Sequence, residues 1–265
     1  MSKISVLIPT YKPGWYLQRC LQSIEDQTLS KDNFKVYIAL NGSDKSFEKY
    51  LKEALKGFSF KCELFFLEQA GVSNARNFLI DNSVEEFVVF VDDDDVISEN
   101  YLEELLQASS HDILGITNSY NFFESLENLK ENFVGKCFKN LDGTTSSKFK
   151  SRKYFSSPWA KMIHRKIIGK VRFDTKLAIG EDSLFMAQLS HRVKAVKKTS
   201  DTTSYYVYER EGSATRQRVN KKKELKRIIY LLKEYSKMLL SFRYDTLFIM
   251  TRIAATLLHG RNLFK

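Results

Sequence analysis

Phe87-Val88-Val89-Phe90-Val91 runs without a break into Asp92-Asp93-Asp94-Asp95. Five apolar, β-favouring residues with no polar alternation describe a strand covered on both faces, as in the middle of a parallel sheet. Four consecutive carboxylates at its end repel one another and burden the folded state unless a cation or hydrogen-bond donors neutralise them. Carboxylate oxygens suit Mg2+ or Mn2+, and Mg2+ is often held by one or two carboxylates together with substrate phosphates. Asp94 is the preferred metal ligand, with Asp92 assisting or meeting a nucleotide ribose. The competing reading is an acidic cap on a helix over 98–106.

Upstream, Ile4 to Ile8 is a short apolar run stopped by Pro9. A helical pattern of Leu17, Cys20, Leu21 and Ile24 follows. Lys35 to Leu40 is β-like and ends at the turn signal Asn41-Gly42-Ser43-Asp44. A helix is expected over 47–55, a strand over 60–67 and a helix over 71–80. Alternating strands and helices predict a parallel, doubly wound α/β sheet. Ligands gather at the carboxyl ends of such strands. Pro9-Thr10-Tyr11, the Asn41 turn and the aspartate run each begin where a strand ends. Downstream, strands are expected over 112–117, 193–199 and 203–208, and a helix over 182–190. From Lys221 onward, Leu225, Ile228, Leu232, Tyr235, Leu239 and Phe242 share one helical face while the lysines fall largely elsewhere, which predicts a basic amphipathic helix.

The 265 residues allow one large α/β domain with an elaborated C-terminal part. With 43% hydrophobic residues, 13% aromatics and only 3 Pro, disorder and repeat-linker architectures are excluded. The opening residues lack the features of a secretory signal, and no window is apolar enough to span a membrane. Cys20, Cys62 and Cys137 form neither a zinc pattern nor a disulfide framework, which fits a reducing cytoplasm. The net charge of +10 is uneven, acidic over 1–110 and basic over 111–265. It serves solubility or draws the chain to phosphate-bearing partners. Neither a Gly-rich Lys-Ser/Thr loop nor a Gly-x-Gly-x-x-Gly fingerprint follows the first strand, which argues against a nucleotide kinase or a dinucleotide dehydrogenase. The four histidines lack metal-ligand spacing, and His164 reads as structural.

Taken in order, several segments resemble glycosyltransferase family 2, whose nucleotide-sugar-binding fold is called GT-A. They are Val6-Leu7-Ile8-Pro9-Thr10-Tyr11, Gln69 to Asn77 with its Ala75-Arg76-Asn77, Phe90 to Asp95, Trp159 to Arg165, Arg172-Phe173-Asp174 and Gly180-Glu181-Asp182-Ser183-Leu184-Phe185. The matches extend from residue 4 to about 216, and their order and spacing carry the specificity. The resemblance implies a Rossmann-like, mostly parallel central sheet flanked by helices, with a helical C-terminal extension. A catalytic domain over 1–216 would hold the nucleotide-sugar part at about 1–110 and the acceptor part at about 111–216, leaving 217–265 as the basic extension. The implied activity is inverting transfer from a nucleotide-diphosphate sugar, a UDP-sugar first among them, by a hexosyltransferase or N-acetylhexosaminyltransferase.

The resemblance also implies roles for single residues. Pro9, Thr10 and Tyr11 line the base pocket. Where the family often has an acid after its second strand this chain has Asn41, which hydrogen-bonds without charge; nearby Asp44 is either a substitute or an ordinary turn residue. Arg76 pairs with phosphate or braces the aspartates through two directed hydrogen bonds, and Asp92 and Asp93 belong to the donor site. Asp182 is the catalytic base that takes the acceptor proton, supported by Glu181. Trp159 stacks on a sugar or packs in the core. Arg210, Ser213 and Arg216 close over the diphosphate. Mn2+ or Mg2+ is the implied cofactor. The expected acceptor is a glycan or lipid-linked glycan of surface polysaccharide synthesis, reached from the inner face of the plasma membrane through the basic helix. The alternatives are a noncatalytic glycan-binding or assembly protein of the same fold, and a basic nucleic-acid-binding protein, which lacks a recognisable module.

Overall fold

The computed structural model describes residues 2–42, 45–210 and 221–261, without the side chains of Lys45 and Arg261. Four parallel strands form the start of the main sheet: β1 (Ile4–Thr10), β2 (Phe34–Asn41), β3 (Cys62–Leu67) and β4 (Phe87–Phe90). The helices between them are α1 (Tyr16–Glu25), α2 (Lys45–Leu55) and α3 (Val72–Asn82). β1 is buried along its whole length and β4 throughout, as their unbroken apolar runs require.

After the aspartates come β5 (Val96–Ile97), α4 (Tyr101–Ala108), β6 (Ile113–Ile116), β7 (Asn118–Phe122), β8 (Lys130–Glu131), α5 (Phe133–Lys139), β9 (Thr144–Thr145), β10 (Lys161–His164), α6 (Arg165–Ile168), α7 (Glu181–Leu189), β11 (Ala195–Lys198) and β12 (Ser204–Tyr208). The main sheet has eight strands in the order β3-β2-β1-β4-β10-β6-β11-β9, with β10 antiparallel to both neighbours and β9 antiparallel to β11. The sheet is therefore mixed. The expected donor and acceptor halves share it, because β10, β6 and β11 continue it past β4. Two parallel neighbours, β6 and β11, run on after a short break into β7 and β12, which lie side by side in a second sheet of order β5-β12-β7-β8.

The C-terminal part differs from the single amphipathic helix expected. It forms two helices, α8 (Lys221–Leu240) and α9 (Thr246–Arg261), packed on each other, and α8 lies against α7. The inward face of α8 carries Ile228, Leu231, Tyr235 and Met238, whereas Leu225 is exposed and Phe242, at φ 55° in the connection, is 91% exposed. The buried face is offset by about one residue from the expected one, with Glu224, Leu231 and Met238 inward where Leu225, Leu232 and Leu239 were expected, and Phe242 lies beyond the end of the helix. Among the described residues no helix is long and apolar enough to cross a membrane.

Candidate functional site

Because β1, β2 and β4 are parallel and in register, Thr10, Asn41 and the residues after Phe90 emerge on one edge of the sheet. The Thr10 hydroxyl donates to Asp93 Oδ2. The Asn41 amide donates to the Thr10 carbonyl at 2.7 Å, and its Oδ1 accepts from the Gly71 N–H at 2.8 Å. This explains the departure from an acid at position 41: a carboxylate could not donate to the carbonyl. Pro9 is buried beneath the loop, while the Tyr11 ring is exposed beside it.

The four aspartates alternate. Asp93 and Asp95 are buried, and Asp95 accepts from the Tyr208 N–H at 2.8 Å. Asp92 and Asp94 keep 31% and 19% of their side chains exposed. Burial pushes the Asp93 carboxyl up to about 7 and the Asp94 carboxyl up to about 6, the latter helped by the charge of Asp92. Arg210, arriving from the end of β12, brings Nε to 3.2 Å from Asp94 Oδ2 and lies over the Tyr16 ring. The helix after the aspartates begins at Tyr101, beyond β5, so the run is not its cap.

α3 carries Arg76 beneath this edge, 4% exposed. Its Nη2 donates to Asp92 Oδ1 at 2.9 Å and its Nη1 to Asp182 Oδ1 at 2.6 Å. The guanidinium thus braces carboxylates, the second of the two expectations for it, and is not a surface arginine. Asp182 sits in the first turn of α7, which follows Gly180 at φ 90°. Burial outweighs Arg76 and leaves the Asp182 carboxyl above its usual range, while burial and then the Asp182 charge push Glu181 up to about 7.

Two groups central to this arrangement were missed in the sequence. Lys161, fully buried on β10, donates to the Ser157 and Trp159 carbonyls at 2.5 and 2.6 Å, and burial lowers its ammonium to about 7 against the pull of Asp182. A lysine opening the apolar run Lys161-Met162-Ile163 was the available signal. Tyr205, also fully buried, accepts from the Asp92 N–H at 3.1 Å and stacks on Trp159 with ring centroids 5.1 Å apart. One face of Trp159 is therefore covered by Tyr205. Asp44, Ser213 and Arg216 lie outside the described residues.

His164 is structural, as its context suggested. Its Nε2 pairs with Glu86 at 3.0 Å and its Nδ1 accepts from the Lys166 N–H. A cavity of about 890 Å3 between α1 and β5 is lined by Trp15, Arg19, Ile97 and Tyr206 among others, but by none of Thr10, Asp92, Asp94 or Asp182. Among the described residues no group of three or more His, Cys, Asp or Glu side chains comes together to hold a metal. Asp92 and Asp94 nevertheless fit a cation that completes its shell with phosphate and water. They are the two partly exposed members of a crowded acidic turn, each paired through one oxygen with an arginine, Asp92 with Arg76 and Asp94 with Arg210, while the buried Asp93 and Asp95 are engaged by Thr10 and the Tyr208 N–H.

In sequence the chain is 29% identical over 230 residues to the glycosyltransferase GlyA of Streptococcus pneumoniae, covering 81% of this chain and 32% of that protein. It is 26% identical over 233 residues to the poly(ribitol-phosphate) beta-glucosyltransferase of Bacillus spizizenii, covering 79% and 33%. The chain thus spans about a third of the length of these curated relatives. In structure it resembles residues 1–349 of S. aureus TarS in complex with UDP-GlcNAc, with a TM-score of 0.75, 21% identity and coverage of 96% of this chain and 71% of that one. It also resembles GalNAc-T7 with UDP, GalNAc and Mn2+, at TM-score 0.66 and 14% identity, covering 97% and 57%. These likenesses establish a GT-A-like fold. Residues 5–172 match Glycosyl transferase family 2, a span that takes in the strand ends carrying Thr10, Asn41 and Asp92, the bracing Arg76 and the Trp159–Lys161 segment, and on that match the chain belongs to this family.

Proposed function

We propose that the chain moves a sugar from a nucleoside-diphosphate sugar, in the first instance a UDP-sugar, to a hydroxyl of a glycan or lipid-linked glycan, with inversion at the anomeric carbon. The observation that carries this reading is the double pairing of Arg76, which holds Asp92 of the acidic turn and Asp182 of α7 on a single guanidinium. Asp182 takes the proton of the acceptor hydroxyl as that hydroxyl's oxygen bonds to the anomeric carbon. The bond from that carbon to the phosphate oxygen breaks, and the diphosphate leaves with the electron pair. One displacement inverts the centre. A carboxyl held above its usual range is suited to accepting a proton at neutral pH. Asp94 and Asp92 would hold Mn2+ or Mg2+, which when bound offsets the charge gathering on the departing diphosphate.

Thr10, Tyr11 and Asn41 frame the nucleoside end, Arg210 the phosphates, and Trp159 the acceptor side with Glu181. Residues 1–216 form the catalytic part and 217–265 the extension. The name of the poly(ribitol-phosphate) beta-glucosyltransferase supports a polymer acceptor. The outer face of α9, with Leu247, Met250, Leu257 and Leu258 exposed, and the lysines of α8 support contact with an anionic membrane face. The test is a metal-dependent transfer screen with UDP-glucose, UDP-galactose and their N-acetylated forms. Asp182→Asn should keep donor binding and lose transfer by roughly a hundredfold or more. Full transfer in that variant sinks the assignment.

A further inference from the structure

A second cavity, about 400 Å3, opens where the segment after α6, the C-terminal end of α7 and the α8–α9 connection meet. Its volume lies in the range of small-ligand sites. Four cationic side chains line it, Lys170, Arg172, Arg192 and Arg243, together with His191 and Tyr244.

Two of the cations are fixed in place. Arg172 donates from Nε to Asp81 at 2.9 Å and from Nη1 to the Gly169 and Val171 carbonyls. Arg192 donates from Nη1 to the Ile167 and Ile168 carbonyls at 3.0 and 2.9 Å. It can do so because residue 169 is glycine: a Cβ there would lie 2.6 Å from Arg192 Nη1, and the backbone is at φ 52°. The other two, Lys170 and Arg243, are exposed and have no carboxylate partner among the described residues. Burial, and then the charges of Arg192 and Arg243 against an opposing hydrogen bond with the Gln188 carbonyl, hold the His191 imidazole below its usual range. Asp81 pairs with Arg172, so positive charge remains in excess around the cavity.

We propose that this cavity binds a phosphate group, with Lys170 and Arg243 closing on its oxygens and the pinned Arg172 and Arg192 supplying a fixed positive wall. Guanidinium groups favour phosphate through charge-assisted, directed hydrogen bonds. The site is separate from the one that would hold a donor diphosphate. Asp182 lies in the first turn of α7, and Gln188 and His191 lie at its far end, roughly 10 Å along the axis at the rise of an α-helix. The inference does not depend on sugar transfer, since it rests on residues that the transfer reading leaves unused.

The test is calorimetric titration of the whole chain with inorganic phosphate, with excess UDP present so that any nucleotide site is filled. Phosphate should bind, and Arg243→Ala and Lys170→Ala should each weaken it by roughly tenfold, the worth of one charged hydrogen bond. Arg210→Ala should leave it unchanged. A parallel arm measures capture on phosphatidylglycerol vesicles. Capture lost in the same two variants assigns the phosphate to a lipid headgroup, and phosphate binding without vesicle capture assigns it to a soluble or polymer-borne ligand. No phosphate heat, or heat indifferent to both substitutions, overturns the site. Both residues are exposed, so the variants are expected to fold, which circular dichroism checks.

Discussion

Arg76 Nη1 lies 2.6 Å from Asp182 Oδ1 across 106 residues of sequence, and the same guanidinium holds Asp92. A buried cation shared by two carboxylates cannot be removed without stranding both. Arg76→Met should therefore destabilise the protein by about 3–5 kcal/mol, read as a drop in the denaturant midpoint. Arg76→Lys, a single point donor in place of a fork, should recover part of the stability and little of the transfer rate. Equal recovery of both would argue that the fork geometry is unimportant.

Glu181 gives the fold a pH signature. Its folded-state pKa of about 7 stands above the ordinary 4.5, so between these values the folded chain binds a proton that the unfolded chain has released. Stability from this group is thus lost as pH rises from about 4.5 to 7, by something on the order of 3 kcal/mol. Urea titrations across that window should show a decline that Glu181→Gln flattens.

Lys161 runs the opposite way. Its pKa is lowered from 10.5 to about 7, so the unfolded chain binds the extra proton between them and stability rises over that interval. Lys161→Met should remove this rise and free the Ser157 and Trp159 carbonyls. Transfer should then suffer more in acceptor KM than in donor KM, and equal effects on the two would separate Lys161 from the acceptor side.

Asn41→Asp exchanges the donor that reaches the Thr10 carbonyl for a second acceptor. Leaving that buried contact unsatisfied should cost about 1–3 kcal/mol, visible as a lower melting temperature, and should weaken nucleotide binding through the displaced loop.

Gly180 is left-handed, at φ 90°, and a Cβ there would sit 3.1 Å from Arg227 Nη1 and from Leu231 Cδ1. Gly180→Ala should cost about 1–3 kcal/mol and shift the first turn of α7, lowering kcat more than donor affinity in steady-state assays.

The parallel half of the main sheet was legible because its strands announce themselves. Ile4 to Ile8, Lys35 to Leu40 and Phe87 to Val91 are apolar runs closed by turn residues, and each matches a strand to within a few residues. β7 was hidden by its composition, since Asn118-Ser119-Tyr120-Asn121-Phe122 is half polar and is held by pairing with β12. β5 and β9 have two residues each, too few for any periodicity. In the site, the strand-end clusters could be listed from sequence, but their mutual contacts could not. The bonds of Thr10 to Asp93, of Asn41 to Thr10 and of Arg76 to Asp182 are set by the register and by α7, which no local pattern encodes.

β6 and β11 leave the main sheet together and reappear as β7 and β12, so the small sheet grows from the large one like a graft on a rootstock. Its outer strand, β8, pairs with β7 through only two residues and is exposed. A change of length within residues 123–129 would therefore be absorbed at the rim of the small sheet, ahead of the buried Asn132 that ties it to Ser119 and Asn121, and would leave Thr10, Arg76 and Asp92 where they are.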